Sequence, residues 1–325
     1  MRSALYHHFG EPSNVLSLGD SPIPEPAINE VRIKTILAPI HNHDLSTIRG
    51  TYGYKPSLPA IGGSEAVGII DAVGKKVKSL KVGQRVSVAN VHNTWADYFI
   101  APKHLVFPIP DSLDDETAAQ LIAMPLSALM LLEFLDLKYG EWVIYNAANG
   151  AVGKNLALLA RERGINTISI VRREGAKDEL KKLGIENIVS TDANDWQDQV
   201  RDITGNQPIT GAIDSVGGEA SGELLSLLGT GGTIVAFSAL SGKPMALNSG
   251  QLIFKEAAAK GFWGTKTSTS MNADRKKRLI NELIERATSG KLHLPVEATY
   301  DLSEVTTAVS KDVQSGKNGK VLLKL

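Results

Sequence analysis

A glycine-rich turn at residues 146–153 is the first feature of the sequence with chemical meaning. It has an Ala-x-x-Gly-x-x-Gly spacing, follows an apolar segment and precedes a helical one. In such a turn Gly150 lets the backbone approach a phosphate, and Gly153 lets the helix pack close to the strand. The N–H groups of the helix N-terminus then point at the anion. The pattern predicts a dinucleotide-binding turn formed by Asn149, Gly150, Ala151, Val152 and Gly153.

Two arginines stand where the next strand is predicted to end. In proteins that bind NAD, an acidic residue at this place, about 20 residues beyond the turn, binds the ribose 2′-hydroxyl. Here the position carries Arg172 and Arg173, and Glu174 comes one residue later. Guanidinium groups bind a 2′-phosphate through charge-assisted hydrogen bonds. The sequence therefore favours NADPH over NADH. The alternative is that one of the two arginines is only a solvated surface charge.

Strand-like and helix-like segments alternate around this turn. Predicted strands cover residues 141–146, 167–171, 187–190, 211–215, 233–237 and 261–264. Predicted helices cover residues 153–163, 175–183, 196–203, 220–228, 253–258 and 272–289. The alternation predicts an α/β fold with a doubly wound parallel Rossmann sheet.

The two ends of the chain have a different texture. Residues 31–37 alternate apolar and polar side chains, as a half-buried strand does, and residues 66–73 and 85–89 are similar. We expect a mostly antiparallel, β-rich domain formed by residues 1–116 and 269–325. Residues 117–268 then form a Rossmann domain inserted within it.

Composition argues against several classes of function. The 325 residues carry 35 basic and 35 acidic side chains, so no nucleic acid or membrane surface is expected as a partner. There is no cysteine, which makes disulfides impossible and agrees with a cytoplasmic location. Residues 1–10 have no apolar run typical of a secretory signal. The apolar stretch 118–137 contains Pro125 and Glu133, so we expect a buried amphipathic helix rather than a membrane span.

Motifs along the whole chain make it resemble the medium-chain dehydrogenase/reductase superfamily. They lie at residues 4–12, 62–68, 214–218 and 319–323. The resemblance implies a GroES-like catalytic domain with an inserted Rossmann domain and a cleft between them. Zinc-dependent members hold their metal with cysteines and with the histidine of a Gly-His-Glu segment. That histidine is Ser64 here and cysteine is absent, so the resemblance implies a zinc-free branch.

Two histidines are candidate metal ligands by type and spacing. Side chains two apart on a strand share a face, as His41 and His43 would. Two imidazoles without a third ligand make an incomplete zinc site. We therefore predict no metal and expect contacts within a helix or loop to satisfy both rings.

Within the superfamily, the 2-enoyl thioester reductases and the quinone reductases both fit. Residues 48–56 resemble the segment that holds the catalytic tyrosine of the enoyl thioester reductases, which places Tyr52 on that position. Quinone reductases often have a tyrosine there too. Phe262 and Trp263 match a pair that lies by the nicotinamide and acyl pocket in the thioester enzymes. The alternative is that Trp263 is a buried aromatic residue of the core.

Further matches and departures concern the cofactor and the substrate. Ser127 keeps the hydroxyl of the thioester enzymes' Asn-Pro-x-Thr-Ala segment, and Lys320 matches a position near the cofactor, unless it is only a solvated lysine. Met124 and His41 each replace an asparagine of the thioester enzymes. These replacements bear on the substrate more than on the cofactor.

The chemistry implied is transfer of hydride from NADPH to the β-carbon of a conjugated C=C bond. Negative charge develops on the carbonyl oxygen, and without zinc a hydrogen-bond donor must stabilise it. An ordinary phenol, with a pKa of about 10, is protonated at neutral pH. Tyr52 is the candidate donor and proton source, and His41 is the second candidate, either contacting substrate or orienting Tyr52. A Tyr52 that only packs over the site is the alternative.

Other functions compete with enoyl thioester reduction. The small-molecule substrate is a quinone or a general enone in the second hypothesis, and the chain is a non-enzymatic NADPH sensor in the third. A groove for a pantetheine arm, with Lys55, Lys266 and Arg275 as a basic rim, would favour the thioester. By resemblance we also expect a homodimer, with the strands at residues 233–237 and 261–264 at the sheet edge.

Overall fold

The computed structural model describes residues 1–314, 316 and 318–325. The strands in the first part of the chain are β1 (Arg2–Tyr6), β2 (Ser17–Asp20), β3 (Glu30–Pro39), β4 (Ala60–Ile61), β5 (Glu65–Val73), β6 (Arg85–Ala89), β7 (Tyr98–Pro102) and β8 (Val106–Pro108). The helices there are α1 (Pro12–Val15), α2 (Asn42–Arg49) and α3 (Asp115–Ala119), with a 3₁₀ turn at Lys103–Leu105.

The middle of the chain alternates helices and strands. Its helices are α4 (Ala123–Leu135), α5 (Ala151–Glu162), α6 (Gly175–Lys181), α7 (Trp196–Thr204), α8 (Glu219–Leu227), α9 (Ser249–Phe254), α10 (Gly264–Ser270) and α11 (Ala273–Thr288). Its strands are β9 (Trp142–Tyr145), β10 (Asn166–Val171), β11 (Ile188–Ser190), β12 (Ile209–Asp214), β13 (Leu228–Ala236) and β14 (Ala258–Gly261). The end of the chain adds β15 (Val296–Asp301), a 3₁₀ turn at Leu302–Glu304, α12 (Val305–Asp312) and β16 (Lys320–Lys324).

The chain forms two compact units. The first contains Met1–Ala123 and Ile280–Leu325, and the second contains Met124–Leu279. In the first unit a sheet runs in the order β15-β16-β3-β5-β6-β8, with β7 also paired to β3. Its pairings are antiparallel except for β15 with β16. Along β3, Val31 and Ile33 are fully buried whereas Lys34 is exposed. The predicted antiparallel strands are confirmed, and β3 is half-buried as predicted, whereas residues 65–68 of β5 and 86–89 of β6 are buried throughout.

The second unit contains a parallel sheet in the order β11-β10-β9-β12-β13-β14. The sequence order reverses between β9 and β12, so the sheet is doubly wound, as predicted. Each residue of β9 is buried, as expected for a central strand that helices cover on both faces. In such a fold, ligands bind beyond the carboxyl ends of the strands at the reversal point.

The sixth predicted strand was placed three residues too late. The strand is Ala258–Gly261, and residues 262–264 lie beyond it. The prediction followed the bulky pair Phe262 and Trp263, but β14 is an edge strand whose residues are mostly exposed. An edge strand does not need the apolar side chains that identify a central one. The preceding helix correspondingly ends at Phe254 instead of residue 258.

The apolar stretch 118–137 forms the end of α3 and all of α4. Helix α3 begins after Asp114, whose carboxylate accepts a hydrogen bond from the N–H of Thr117 at 2.7 Å. Helix α4 buries side chains on nearly all sides, so the predicted amphipathic character is wrong although the predicted burial is right. Among the described residues, no helix is long and apolar enough to cross a membrane.

Lys255 closes the C-terminal end of α8. Its ammonium group donates to the carbonyl oxygens of Leu225, Ser226 and Leu228 at 3.2, 2.7 and 2.7 Å. Carbonyls at the end of a helix lack the full set of partners found in its interior, although that of Leu225 also accepts from the N–H of Leu228, and a positive charge there interacts favourably with the helix dipole. Burial lowers the pKa of Lys255, which shows that the ammonium is partly removed from water.

The change Lys255→Met should destabilise the second unit by about 1 to 2 kcal/mol, because it leaves these carbonyls without their charged donor. Urea denaturation followed by tryptophan fluorescence measures the loss. The matched control is Lys182→Met, at an exposed position in the same unit. Equal unfolding midpoints for the two variants would contradict the capping role.

Candidate active site

The glycine-rich turn connects β9 to α5 in the second unit. Gly150 is the N-cap residue of α5, followed by Ala151 and Val152 in its first turn. A side chain at position 153 would place Cβ 2.6 Å from the carbonyl oxygen of Ala148, so only glycine allows this close packing. The N–H of Ala148 donates to the carbonyl of Ile170 at 3.1 Å, which joins the turn to β10. The turn therefore has the geometry needed to bind a pyrophosphate at a helix N-terminus.

A buried polar pair holds the ends of β9 and β12 together beside this turn. The Asn146 amide donates to Asp214 Oδ1 at 2.6 Å and accepts from the N–H of Ser215 at 2.7 Å. Asp214 Oδ1 also accepts from the N–H of Gly217 at 3.1 Å. Sequence analysis used residues 214–218 only as a family landmark and missed this pairing. Its signal was an aspartate at the end of a buried strand, which needs a partner.

Arg172 and Arg173 follow the last residue of β10 and are both exposed. The neighbouring Glu174 forms an ion pair with Lys177 at 2.8 Å. The acidic side chain closest to the expected ribose position is thus engaged on its own helix. The arrangement fits a dinucleotide with a 2′-phosphate better than one with a free 2′-hydroxyl.

Three more predicted cofactor residues lie together in the second unit. Phe262 is 6% exposed and packs edge-on against Phe134, with ring centroids 5.3 Å apart. Ser127 lies in α4 next to the start of α10. A Cβ atom added at Gly264 would lie 3.5 Å from the Ser127 hydroxyl oxygen. Trp263 is 45% exposed. It is therefore not the core aromatic that sequence analysis left as an alternative.

His41 lies in the first unit, at the N-cap of α2. Its ring is fully buried, and Nε2 lies 2.7 Å from Glu65 Oε2. The other oxygen of Glu65 accepts from the N–H groups of Ile122 and Ala123 at 2.7 and 2.8 Å. Burial raises the pKa of Glu65 to about 8, although the two N–H groups and the charge of Lys320 oppose the shift.

A second histidine network lies next to the first. Ser64 Oγ donates to Asp44 Oδ1 at 2.6 Å and lies 2.7 Å from His43 Nε2. Asp44 Oδ2 accepts from the N–H of His41 at 3.1 Å. Sequence analysis treated Ser64 only as a missing metal ligand and missed this hydrogen-bonded chain. The two imidazoles bond side chains 24 and 21 residues away along the chain, so, contrary to the expectation from sequence, their partners do not come from their own helix or loop.

Tyr52 follows the C-terminus of α2, where Gly50 adopts the left-handed conformation with a φ of 74°. The N–H of Tyr52 donates to the carbonyl of Ser46 at 3.1 Å, which fixes the start of the loop. The ring of His43 stacks on that of His41, with their centroids 5.0 Å apart, and its centroid lies 5.9 Å from that of the Tyr52 ring. The three side chains therefore form a contiguous group.

Lys320 belongs to the same group through its charge. It is 9% exposed, and Nζ donates to the carbonyl of Ile40 at 2.9 Å. Burial lowers the pKa of His43 and the charge of Lys320 adds to that shift, whereas at Glu65 the same charge opposes the rise in pKa that burial causes. It is therefore not the solvated lysine that sequence analysis left as an alternative.

The predicted site residues thus fall into two sets. Tyr52, His41 and Lys320 lie in the first unit, and the turn, the arginines, Ser127, Phe262 and Trp263 lie in the second. Within the part of the chain that the structure describes, no group of three or more His, Cys, Asp or Glu side chains is arranged to hold a metal ion.

Comparison with known proteins decides the family. A family model described as zinc-binding dehydrogenase matches residues 151–282, and one described as alcohol dehydrogenase GroES-like domain matches residues 27–111. The mitochondrial enoyl-[acyl-carrier-protein] reductase of Homo sapiens is 31% identical over 330 residues, which cover 99% of this chain and 88% of the relative. The chain belongs to the medium-chain dehydrogenase/reductase superfamily, in its enoyl reductase and quinone reductase branch.

Solved structures of this superfamily agree with the fold. The Escherichia coli quinone oxidoreductase complexed with NADPH is 25% identical, with a TM-score of 0.91 over the whole of both chains. A mutant enoyl thioester reductase from Candida tropicalis is 25% identical, with a TM-score of 0.84 over 100% of this chain and 99% of that one. The resemblance inferred from the motifs is confirmed.

The buried carboxyl of Glu65 should make stability fall as pH rises. Its raised pKa means that between pH 4.5 and 8 the folded protein keeps a proton that the unfolded chain releases. The contribution of Glu65 to the free energy of unfolding is therefore complete below pH 4.5 and is lost as pH rises to about 8. Between pH 7 and 8 the loss should be about 1 kcal/mol. The variant Glu65→Gln keeps the shape and cannot ionise, so its unfolding free energy should change less over this range. Urea denaturation at both pH values measures the difference, and parallel pH dependences would contradict the prediction.

Proposed function

We propose that this chain is a metal-free NADPH-dependent reductase that adds hydride to the β-carbon of a conjugated C=C bond, with a 2-enoyl thioester as substrate. The observation that carries the proposal is the polar group beside Tyr52. There, His41 bonds Glu65 and His43 bonds Ser64, each at 2.7 Å. These contacts make a fixed hydrogen-bonding environment around a phenol.

The second unit supplies the cofactor site. Residues 149–153 would hold the pyrophosphate, and Arg172 and Arg173 the 2′-phosphate. Ser127, Phe262 and Trp263 are proposed to contact the cofactor near its reactive end, and Lys320 from the first unit is proposed as a further cofactor residue. NADPH supplies the hydride when bound. The NADPH complex of the E. coli quinone oxidoreductase supports this choice of dinucleotide.

Tyr52 is proposed to serve the other half of the reaction. As hydride reaches the β-carbon, negative charge moves to the carbonyl oxygen, and the phenol O–H donates a hydrogen bond there or a proton to the α-carbon. His41 is fully buried against Glu65, so we assign it a positioning role rather than substrate contact.

The enoyl thioester is favoured over a quinone by the extent of similarity to the enoyl-[acyl-carrier-protein] reductases, which covers nearly the whole chain. Quinone reduction stays the second candidate because of the similarity to the E. coli quinone oxidoreductase. Arg275, one residue of the proposed basic rim, forms an ion pair with Glu133 of the same unit. That pairing makes the charge of Arg275 less available to a phosphate group of the substrate. Lys55 and Lys266 retain that role in the proposal.

A homodimer and a cytoplasmic location complete the proposal. Strand β14 forms one edge of the parallel sheet, and an open edge is a surface on which a second copy can add its own strand. Close to it in sequence, Ile253 and Phe254 are exposed, Phe254 to 86%. These features support association through this edge. The balanced charge and the lack of cysteine support the cytoplasm, whereas the similar human enzyme is mitochondrial by name.

Replacing the phenol tests the reaction. With crotonyl-CoA as acceptor, Tyr52→Phe should lower kcat/KM by about 100-fold or more, because it removes the donor and keeps the ring. NADPH oxidation is followed by absorbance, with a 1,4-quinone as the second acceptor. The control Tyr139→Phe removes an exposed hydroxyl from the second unit and should keep full activity. Full turnover by Tyr52→Phe with both acceptors would exclude the donor role.

Replacing the arginines tests the dinucleotide. The double change of Arg172 and Arg173 to Ala should raise the KM for NADPH by about tenfold or more and leave that for NADH nearly unchanged, because only NADPH carries the 2′-phosphate. Arg201→Ala removes an exposed arginine of α7 and serves as the control. Equal losses with the two dinucleotides would count against a 2′-phosphate site.

A further inference from the structure

His43 is held by a hydrogen-bonded chain whose direction is determined. The Asp44 carboxylate only accepts hydrogen bonds when ionised, so Ser64 donates its hydroxyl hydrogen to it at 2.6 Å. Ser64 Oγ then accepts from His43, which places a hydrogen on Nε2 over the 2.7 Å contact. The neutral ring therefore carries its hydrogen on Nε2 and has Nδ1 as its acceptor.

The ring of His43 is held on one flat face as well as at Nε2. One side stacks on His41 at 5.0 Å with an interplanar angle of 18°. His41 is itself immobilised, because it is fully buried and bonds Glu65. His43 is 27% exposed, which leaves part of the ring at the surface of this group.

Tyr52 is the third ring of this group, after His41 and His43. It lies at the start of a loop, residues 51–59, where neighbouring side chains are mostly exposed and no regular structure forms. Its ring is tilted by 34° to that of His43 at 5.9 Å. A phenol that donates to the oxygen on which negative charge develops needs its hydroxyl group positioned to within a fraction of an ångström. The immobile ring of His43 is a surface against which it can be held.

We propose that His43, held by Ser64 and Asp44, is a positioning residue that orients the Tyr52 phenol for catalysis. The inference rests on the proposed function of Tyr52 and adds a residue that acts through it. The charged and titratable groups around His43 are Asp44, His41, Tyr52, His92 and Lys320. Burial together with Lys320 lowers the pKa of His43, against Asp44, so the neutral ring is the form present at neutral pH.

A double-mutant cycle between His43 and Tyr52 tests the proposal, because only a residue that acts through Tyr52 loses its effect when the phenol is absent. His43→Gln keeps a donor for Ser64 and removes the ring. In the otherwise native protein it should lower kcat with crotonyl-CoA by about tenfold, with an NADPH KM unchanged within about twofold. In the Tyr52→Phe background it should change kcat by no more than about twofold.

Two further variants separate positioning from folding. Ser64→Ala frees His43 Nε2 and should lower kcat by about fivefold, whereas Ser64→Thr retains the hydroxyl and should restore most of it. His104→Gln removes an exposed ring from the same unit and should leave kcat unchanged. If His43→Gln does not fold, as judged by NADPH binding and thermal unfolding, His43→Asn, which also removes the ring, replaces it in the cycle with the same expected non-additivity.

The outcomes distinguish the inference from the function on which it rests. Turnover by the native chain with equal losses for His43→Gln in the two backgrounds overturns the positioning role and leaves the proposed function intact. No turnover by the native chain with crotonyl-CoA or a 1,4-quinone overturns the proposed function and the inference together.

Discussion

The first unit depends on one buried carboxyl group. Glu65 has no exposure, and burying a carboxyl without partners would cost several kcal/mol. Its partners come from separate elements: the N–H groups of Ile122 and Ala123 at the start of α4, and the ring of His41 before α2. The strand, the backbone of residues 122–123 and the turn before α2 are therefore held in one arrangement. His43 stacks on the ring that Glu65 holds, and Tyr52 lies against His43.

The second unit depends on close backbone packing instead. Gly153 brings α5 against Ala148, and the pairing of Asn146 with Asp214 keeps β9 and β12 together where the sheet order reverses. Thus one unit presents the turn that is proposed to bind phosphate, whereas the other presents a set of hydrogen-bonded rings. The proposed chemistry uses these two properties for different halves of one reaction.

The predictions from sequence succeeded where the signal was local and periodic. The central strand at residues 142–145 and the helices at residues 151–162 and 196–204 are within two residues of their predicted bounds at each end, because burial on one face or both determines their side chains. The edge strand at residues 258–261 was misplaced, since its residues Ala, Ala, Lys and Gly contain no β-favouring side chain. Helix α4 was predicted to be amphipathic because no local pattern indicates that all its sides are covered.

The sequence by itself determined the glycine-rich turn after a strand, the choice of NADPH as cofactor and the family, because each depends on a few contiguous residues or on motifs of fixed spacing. Only the tertiary structure decided how the histidines are used. Asp44 and Ser64 are separated by 20 residues, and His41 and Glu65 by 24. Their pairing requires the end of β3, the start of α2 and the start of β5 to meet. No local rule predicts that meeting, because it results from packing of the whole unit around its core.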